Sequence, residues 1–187
     1  MKPPARAQSP FSSFCILHFA FCILQCVFLP GCIGYQVGTG SLYAPDVATV
    51  YVPMIDSDSY RRDLGERLTE AVVKEIELKT PYKVVSTPDA DSILSARLLT
   101  DTRKTLVKNA FDDSRVSETE IRAEVMWLNR RRLPMAPTQT IGLPPELVAM
   151  NATSNLIPEA GQSVATAQQQ AIKRLAQQIV ATMEAPW

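Results

Sequence analysis

Beyond residue 31 the chain has no histidine and one cysteine, Cys32; His18, Cys15, Cys22 and Cys26 all fall earlier. Residues 32–187 therefore offer no imidazole base and no histidine metal ligand, and with Cys32 consumed as described below they offer no catalytic thiol. No disulfide can form within that stretch, so a fold in an oxidising compartment must rest on its apolar core alone. An excess of positive charge is missing too. The 19 basic and 19 acidic residues balance, and setting aside Lys2 and Arg6 leaves slightly more acid than base, which argues against nucleic acid as a partner. Lys and Arg are absent altogether from residues 133–172. Gly38 and Gly40 have neither a preceding strand nor a following lysine, so they do not form a phosphate loop. No cofactor, metal site or enzymatic activity is expected from this inventory.

Long apolar runs are also scarce, and the one present is informative. Residues 1–13 carry Lys2 and Arg6 with no acid, and residues 14–29 are apolar apart from His18 and Gln25. That run is short for a membrane span, which needs roughly 20 residues, and it has the layout of a secretory signal peptide. It ends at Leu29, Pro30, Gly31 and Cys32. This pattern resembles the bacterial lipobox, although Pro30 stands where a small or β-branched residue is usual. The resemblance implies cleavage before Cys32 and lipid attachment to its thiol. Each buried methylene adds about 0.8 kcal/mol of membrane affinity, so two or three acyl chains would hold the protein almost permanently. Residues 32–44 then form a short Gly-rich tether, and Ile33 after the lipidated cysteine points to the outer membrane. The expected organisation is a signal peptide over 1–31, a lipidated tether over 32–44 and one domain over 45–187, long enough for a proper core.

Within that domain the residue pattern predicts an α+β, two-layer sandwich: two helices on one face of a mixed sheet of four or five strands. Residues 47–54 are β-branched, aromatic and nearly continuously apolar, which predicts a buried strand. Leu64, Leu68, Ala71, Val72 and Ile76 recur at three and four, predicting an amphipathic helix over 60–79, with Asp58 or Ser59 as its cap and Thr80 and Pro81 as its stop. Residues 82–85 make a short strand, parallel to the first if the crossover is right-handed. Alternation then predicts two long antiparallel strands, 92–107 and 115–129. In the first, Leu94, Ala96 and Leu98 face the core, while Ser95, Arg97 and Asp101 face water. In the second, Ile121, Ala123, Val125 and Trp127 face inward. A weak strand is expected at 138–142, a long loop at 143–161, and a final helix at 163–183 with a solvated Gln-rich face.

Few side chains suggest chemistry. The pairs Asp56 with Asp58 and Asp112 with Asp113 fall in turns, where Asp is favoured for local hydrogen bonds, and Glu118 with Glu120 lies on a wet strand face. The run Arg130, Arg131 and Arg132 could hold a phosphate bidentately, but reads first as a basic turn.

With the Leu29 to Cys32 run, the strand VATVYVPM, the helix ending KEIELKTPYKVVS, two long alternating strands and a closing amphipathic helix in view, the chain resembles the LptE family of lipopolysaccharide-assembly lipoproteins. The likeness spans residues 29–183 in element order rather than in any single diagnostic motif. It implies an outer-membrane lipoprotein that sits as a plug inside the barrel of its partner, LptD, helps that barrel fold, and promotes insertion of lipopolysaccharide into the outer leaflet. It also implies glycolipid binding through basic residues of the long hairpin, here Arg103, Lys104 and Lys108, with Arg115 across the turn. The alternative is a periplasm-facing lipoprotein adaptor, such as an activator of peptidoglycan synthases. That role calls for a long Pro/Gln/Ser-rich stretch after the lipidated cysteine, which the 32–44 tether does not supply.

If Cys32 is the lipidated amino terminus, Cys32→Ser abolishes labelling by a fatty-acid probe and leaves the precursor uncleaved. Undiminished labelling of that variant would reject the assignment.

Overall fold

The computed structural model describes Phe21 and residues 42–135 and 147–184. The chain divides into two units, Met1–Gly38 and Thr39–Trp187, and the elements below belong to the second. In chain order they are β1 (Thr49–Tyr51), β2 (Asp56–Ser57), α1 (Leu64–Lys79), β3 (Lys83–Val85), β4 (Ser92–Lys108), β5 (Ser114–Asn129), β6 (Val148–Leu156), a 3-10 turn (Pro158–Ala160) and α2 (Val164–Ala181). Cys32 and the strand expected at 138–142 lie outside the described residues.

The sheet is mixed, in the order β3-β1-β4-β5-β6, with β2 also paired to β4. β1 lies parallel to both β3 and β4, whereas β4-β5-β6 is an antiparallel meander. Of residues 47–54, expected as one strand, only Thr49–Tyr51 form β1; Pro53 follows, and the short piece β2 lies beyond at Asp56–Ser57, both laid along β4. Proline has no amide hydrogen for a ladder, which accounts for the break.

One core lies between the sheet and the two helices. α1 contributes Leu64, Leu68, Val72 and Ile76, and α2 contributes Ile172, Leu175 and Ile179; they cover Val50, Leu94, Leu98 and Ile121 of the sheet, all almost inaccessible to solvent. The inward face expected for β5 is confirmed, since Ile121, Ala123, Val125 and Trp127 are all buried. Tyr82 packs between Tyr43 and Trp127, with ring centroids at 5.6 and 6.2 Å, and the Tyr43 hydroxyl donates to the Lys79 carbonyl at the end of α1. Desolvation raises the pKa of both tyrosines above the ordinary value.

Four expectations need correction. The cap of α1 is Asp63 in the left-handed region (φ 66), with no side-chain cap bond, rather than Asp58 or Ser59. The loop around Ile55 instead sits directly on the first helical turn, where a Cβ on Gly65 would lie 2.2 Å from the Ile55 carbonyl oxygen. The stretch 143–161 is not one long loop, because β6 occupies Val148–Leu156. Its inward face runs Val148, Met150, Ala152, Ser154 and Leu156, an alternation weakened at its centre by the small Ala152 and the polar Ser154. The Gln-rich face of α2 is not wholly solvated either, since Gln168 is 5% exposed.

The fourth correction is Asp101. The β4–β5 register shifts between Leu98 and Thr100, and this bulge reverses the phase of β4, so that Asp101 pairs with the core residue Ile121. The Asp101 side chain is 2% exposed, 2.6 Å from Arg61 Nε, and accepts a 2.9 Å hydrogen bond from Gln168 Nε2. It therefore ties the loop before α1, the middle of the sheet and α2 together.

Trp127→Ala is expected to cost about 3–5 kcal/mol, the range for emptying a large aromatic site in a core, read from denaturant melts. Asp101→Ala is expected to cost about 1–3 kcal/mol, because the buried Gln168 amide loses its acceptor. A wild-type melt for Asp101→Ala would return that side chain to the solvated face.

Candidate functional site

The β4–β5 hairpin has two turns at its ends, built by the same device. At the far end, Asn109 Oδ1 accepts the amides of Phe111 and Asp113, each at 2.9 Å, and Asp112 takes a left-handed φ of 69. At the near end, Asn129 Oδ1 accepts the amides of Arg131 and Leu133 at 2.9 and 3.0 Å, and Arg132 takes φ 59. A short side-chain carbonyl that substitutes for a backbone acceptor makes such loops compact and rigid. Each therefore presents three residues outward: Ala110, Phe111 and Asp112 at one end, Arg130, Arg131 and Arg132 at the other.

Arg103, Lys104 and Lys108 all lie on the exposed far half of β4. Arg103 stands opposite Thr119 and Lys104 opposite Glu118, so they project from opposite faces of the hairpin. Neither has a side-chain partner among the described residues, whereas Lys108 pairs with Asp112 at 2.8 Å and Arg115 with Glu159. The structure thus brings the four cations to one end while leaving two engaged locally. Sequence reasoning missed the apolar residues among them: Leu106, Val107 and Phe111 are 47, 51 and 86% exposed. Their signal in the sequence is an apolar pair, Leu106 and Val107, set between Lys104 and Lys108, and an aromatic residue in the turn that follows.

The open face of the sheet, away from the helices, is polar over β4-β5-β6. Thr102, Glu120 and Thr153 form one cross-strand row, and Lys104, Glu118 and Asn155 the next. Hydrogen bonds from Arg122 and Asn151 hold the Glu120 carboxyl below the ordinary carboxylate range. Asp58 pairs with Arg97 at 2.8 Å and Asp112 with Lys108, so these turn carboxylates serve as local partners of cations.

At the near end, Asp91 Oδ2 accepts from the Thr49 hydroxyl at 2.8 Å and from the amides of Ala48 and Thr49, and these bonds lower its pKa. Its other oxygen is 3.2 Å from Arg130 Nη2, which also donates to the Asp89 carbonyl. Among the described residues no group of His, Cys, Asp and Glu could hold a metal ion, and no helix is long and apolar enough to cross a membrane.

Comparisons with known proteins follow this geometry. No curated protein matches the sequence. Among solved structures, a hypothetical protein, CT253, from Chlamydia trachomatis superposes with a TM-score of 0.53 at 12% identity, covering 72% of this chain and 94% of that one. The PelC dodecamer subunit from Paraburkholderia phytofirmans gives 0.50 at 12% identity, covering 76 and 93%. The rare lipoprotein B from Shewanella oneidensis gives 0.43 at 16% identity, covering 72 and 92%. At these identities the first two establish a shared fold and nothing further. The sequence model described as LptE, lipopolysaccharide-assembly, matches residues 47–183, from the start of the first strand region to the end of the last helix, and on that match the chain belongs to the LptE family.

Proposed function

We propose that this protein is an outer-membrane lipoprotein, anchored through Cys32, that plugs an LptD-like β-barrel, assists its folding and promotes insertion of lipopolysaccharide into the outer leaflet. The observation that carries this reading is the family match over residues 47–183. The open face supports the plug role, since its rows of Thr, Glu, Lys and Asn suit the polar interior wall of a large barrel. The hairpin end supports contact with glycolipid. Arg103 and Lys104 have no charged partner among the described residues, and guanidinium and ammonium groups both bind phosphate oxygens. Lys108 joins them only by giving up Asp112. Function on this view is recognition and assembly, with no reacting group required.

The protein and its barrel are expected to co-purify in detergent, and depletion of the protein to leave the barrel misassembled. Charge reversal at Arg103, Lys104 and Lys108 together is expected to weaken glycolipid binding on the order of 100-fold, at about 1 kcal/mol per cation, while the barrel complex persists. Raising salt should weaken wild-type binding in the same direction. Unchanged glycolipid binding by the triple variant would reject the hairpin site, and a protein recovered from the envelope without any barrel would reject the plug.

A further inference from the structure

The Arg130, Arg131 and Arg132 turn lies at the opposite end of the hairpin from Arg103 and Lys104, and beside it the open face is no longer polar. Ile93, Met126 and Leu128, all half-buried, line a cleft of about 660 Å³ bordered by Arg130 and Arg132. A second recess of about 300 Å³ shares Ser95 and Met126 with it and reaches Ala96 and Leu147, with Arg97 and Glu124 at its border. These volumes match small-molecule sites, which combine apolar walls with a few fixed polar groups.

The guanidinium groups are prepared for an anion. Arg130 is held by Asp91 and the Asp89 carbonyl, each at 3.2 Å, and the Asn129 side chain fixes the backbone that presents Arg131 and Arg132. Neither of those two side chains has a partner among the described residues. The acids nearby are Asp89 on the cleft wall, Asp46 and Asp91 behind the turn, and Glu124 in the adjoining recess, where Arg97 accompanies it. Asp91 is already engaged by the Thr49 hydroxyl, two amides and Arg130. Of the residues that line the cleft itself, Arg130 and Arg132 stand against the single acid Asp89 above an apolar floor, and Asp46 and Asp91 lie outside that lining.

We infer that this cleft binds a phosphate-headed amphiphile, its headgroup between Arg132 and Arg130 and its alkyl chain along Ile93, Met126 and Leu128. Arginine suits this role because its planar fork meets phosphate oxygens in pairs, and each buried methylene of the chain adds affinity. The biological sense of the site rests on the lipid-assembly reading above, but the binding itself involves no barrel.

The test is calorimetric titration of hexyl phosphate into the full-length chain held in phosphatidylcholine nanodiscs, with empty nanodiscs as the blank. Saturable binding at one site is expected, with inorganic phosphate and hexanol each weaker by about tenfold or more. Arg132→Asn, which tolerates the left-handed backbone and breaks no side-chain hydrogen bond or ion pair among the described residues, should weaken hexyl phosphate about fivefold or more; Met126→Ser should weaken it while leaving inorganic phosphate unchanged. Absence of saturable binding, equal affinity for inorganic phosphate, or wild-type affinity in Arg132→Asn would overturn the inference. A missing barrel complex alongside intact hexyl phosphate binding would sink the plug reading and support the cleft, whereas the reverse result would sink the cleft alone.

Discussion

The continuous antiparallel ladder between β4 and β5 is the constraint on which the rest of the structure depends. It runs from Ser92 opposite Asn129 to Lys108 opposite Ser114, and every other element except β3, which joins through β1, packs on it or pairs to it. Its near half carries Leu94, Leu98, Ala123, Val125 and Trp127 into the core, so the helices have one apolar surface to cover. Its far half exposes β4, while β5 opposite stays paired to β6 with Ser117 and Thr119 buried until the last residues before the tip. One ladder thus provides the hydrophobic attachment that stabilises the domain and an arm that reaches outward from it. The backbone hydrogen bonds of the arm keep it extended without a core of its own.

Irregularities in the ladder decide which side chains meet. The bulge after Leu98 turns Asp101 toward α2, where Arg61 and Gln168 satisfy it. Burying a carboxylate is costly unless it is paired and hydrogen-bonded, and Asp101 has both kinds of partner. The consequence is a polar tie through an otherwise apolar interface, linking three elements distant in sequence. A second shift near Leu106 re-phases the arm again before its tip. Arg103 and Lys104, consecutive in the strand before that shift, already project on opposite faces rather than as one stripe.

The open face is divided along its length in a similar way. Over the middle and far part it is polar, with Glu120 held by Arg122 and Asn151. Beside the arginine turn it becomes apolar around Ile93, Met126 and Leu128. A face that changes from wet to apolar along one sheet is suited to a protein that must meet both a polar wall and a lipid. The membership in a lipopolysaccharide-assembly family gives that division its context.

Much of this architecture was readable from residue order. The three-and-four spacing of Leu64, Leu68, Val72 and Ile76, and the strict alternation from Ile121 to Trp127, express periodicities that backbone geometry imposes on any buried helix or half-buried strand. The lipobox-like run at Cys32 and the absence of histidine beyond His18 likewise need no coordinates, because they concern residue identity alone. β6 was less legible, since the alternation of Val148, Met150, Ala152, Ser154 and Leu156 is weakened at its centre by the small Ala152 and the polar Ser154. The inward turn of Asp101 was hidden for another reason: one extra residue in a ladder reverses every side chain after it, and only the partner strand determines where that residue is accommodated. The anchoring of Arg130 by Asp91 and the cleft over Met126 belong to the same class. Local pattern therefore determined the elements and their buried faces, while register and long-range packing decided which charges are paired, which stay free and where an apolar cleft opens beside them.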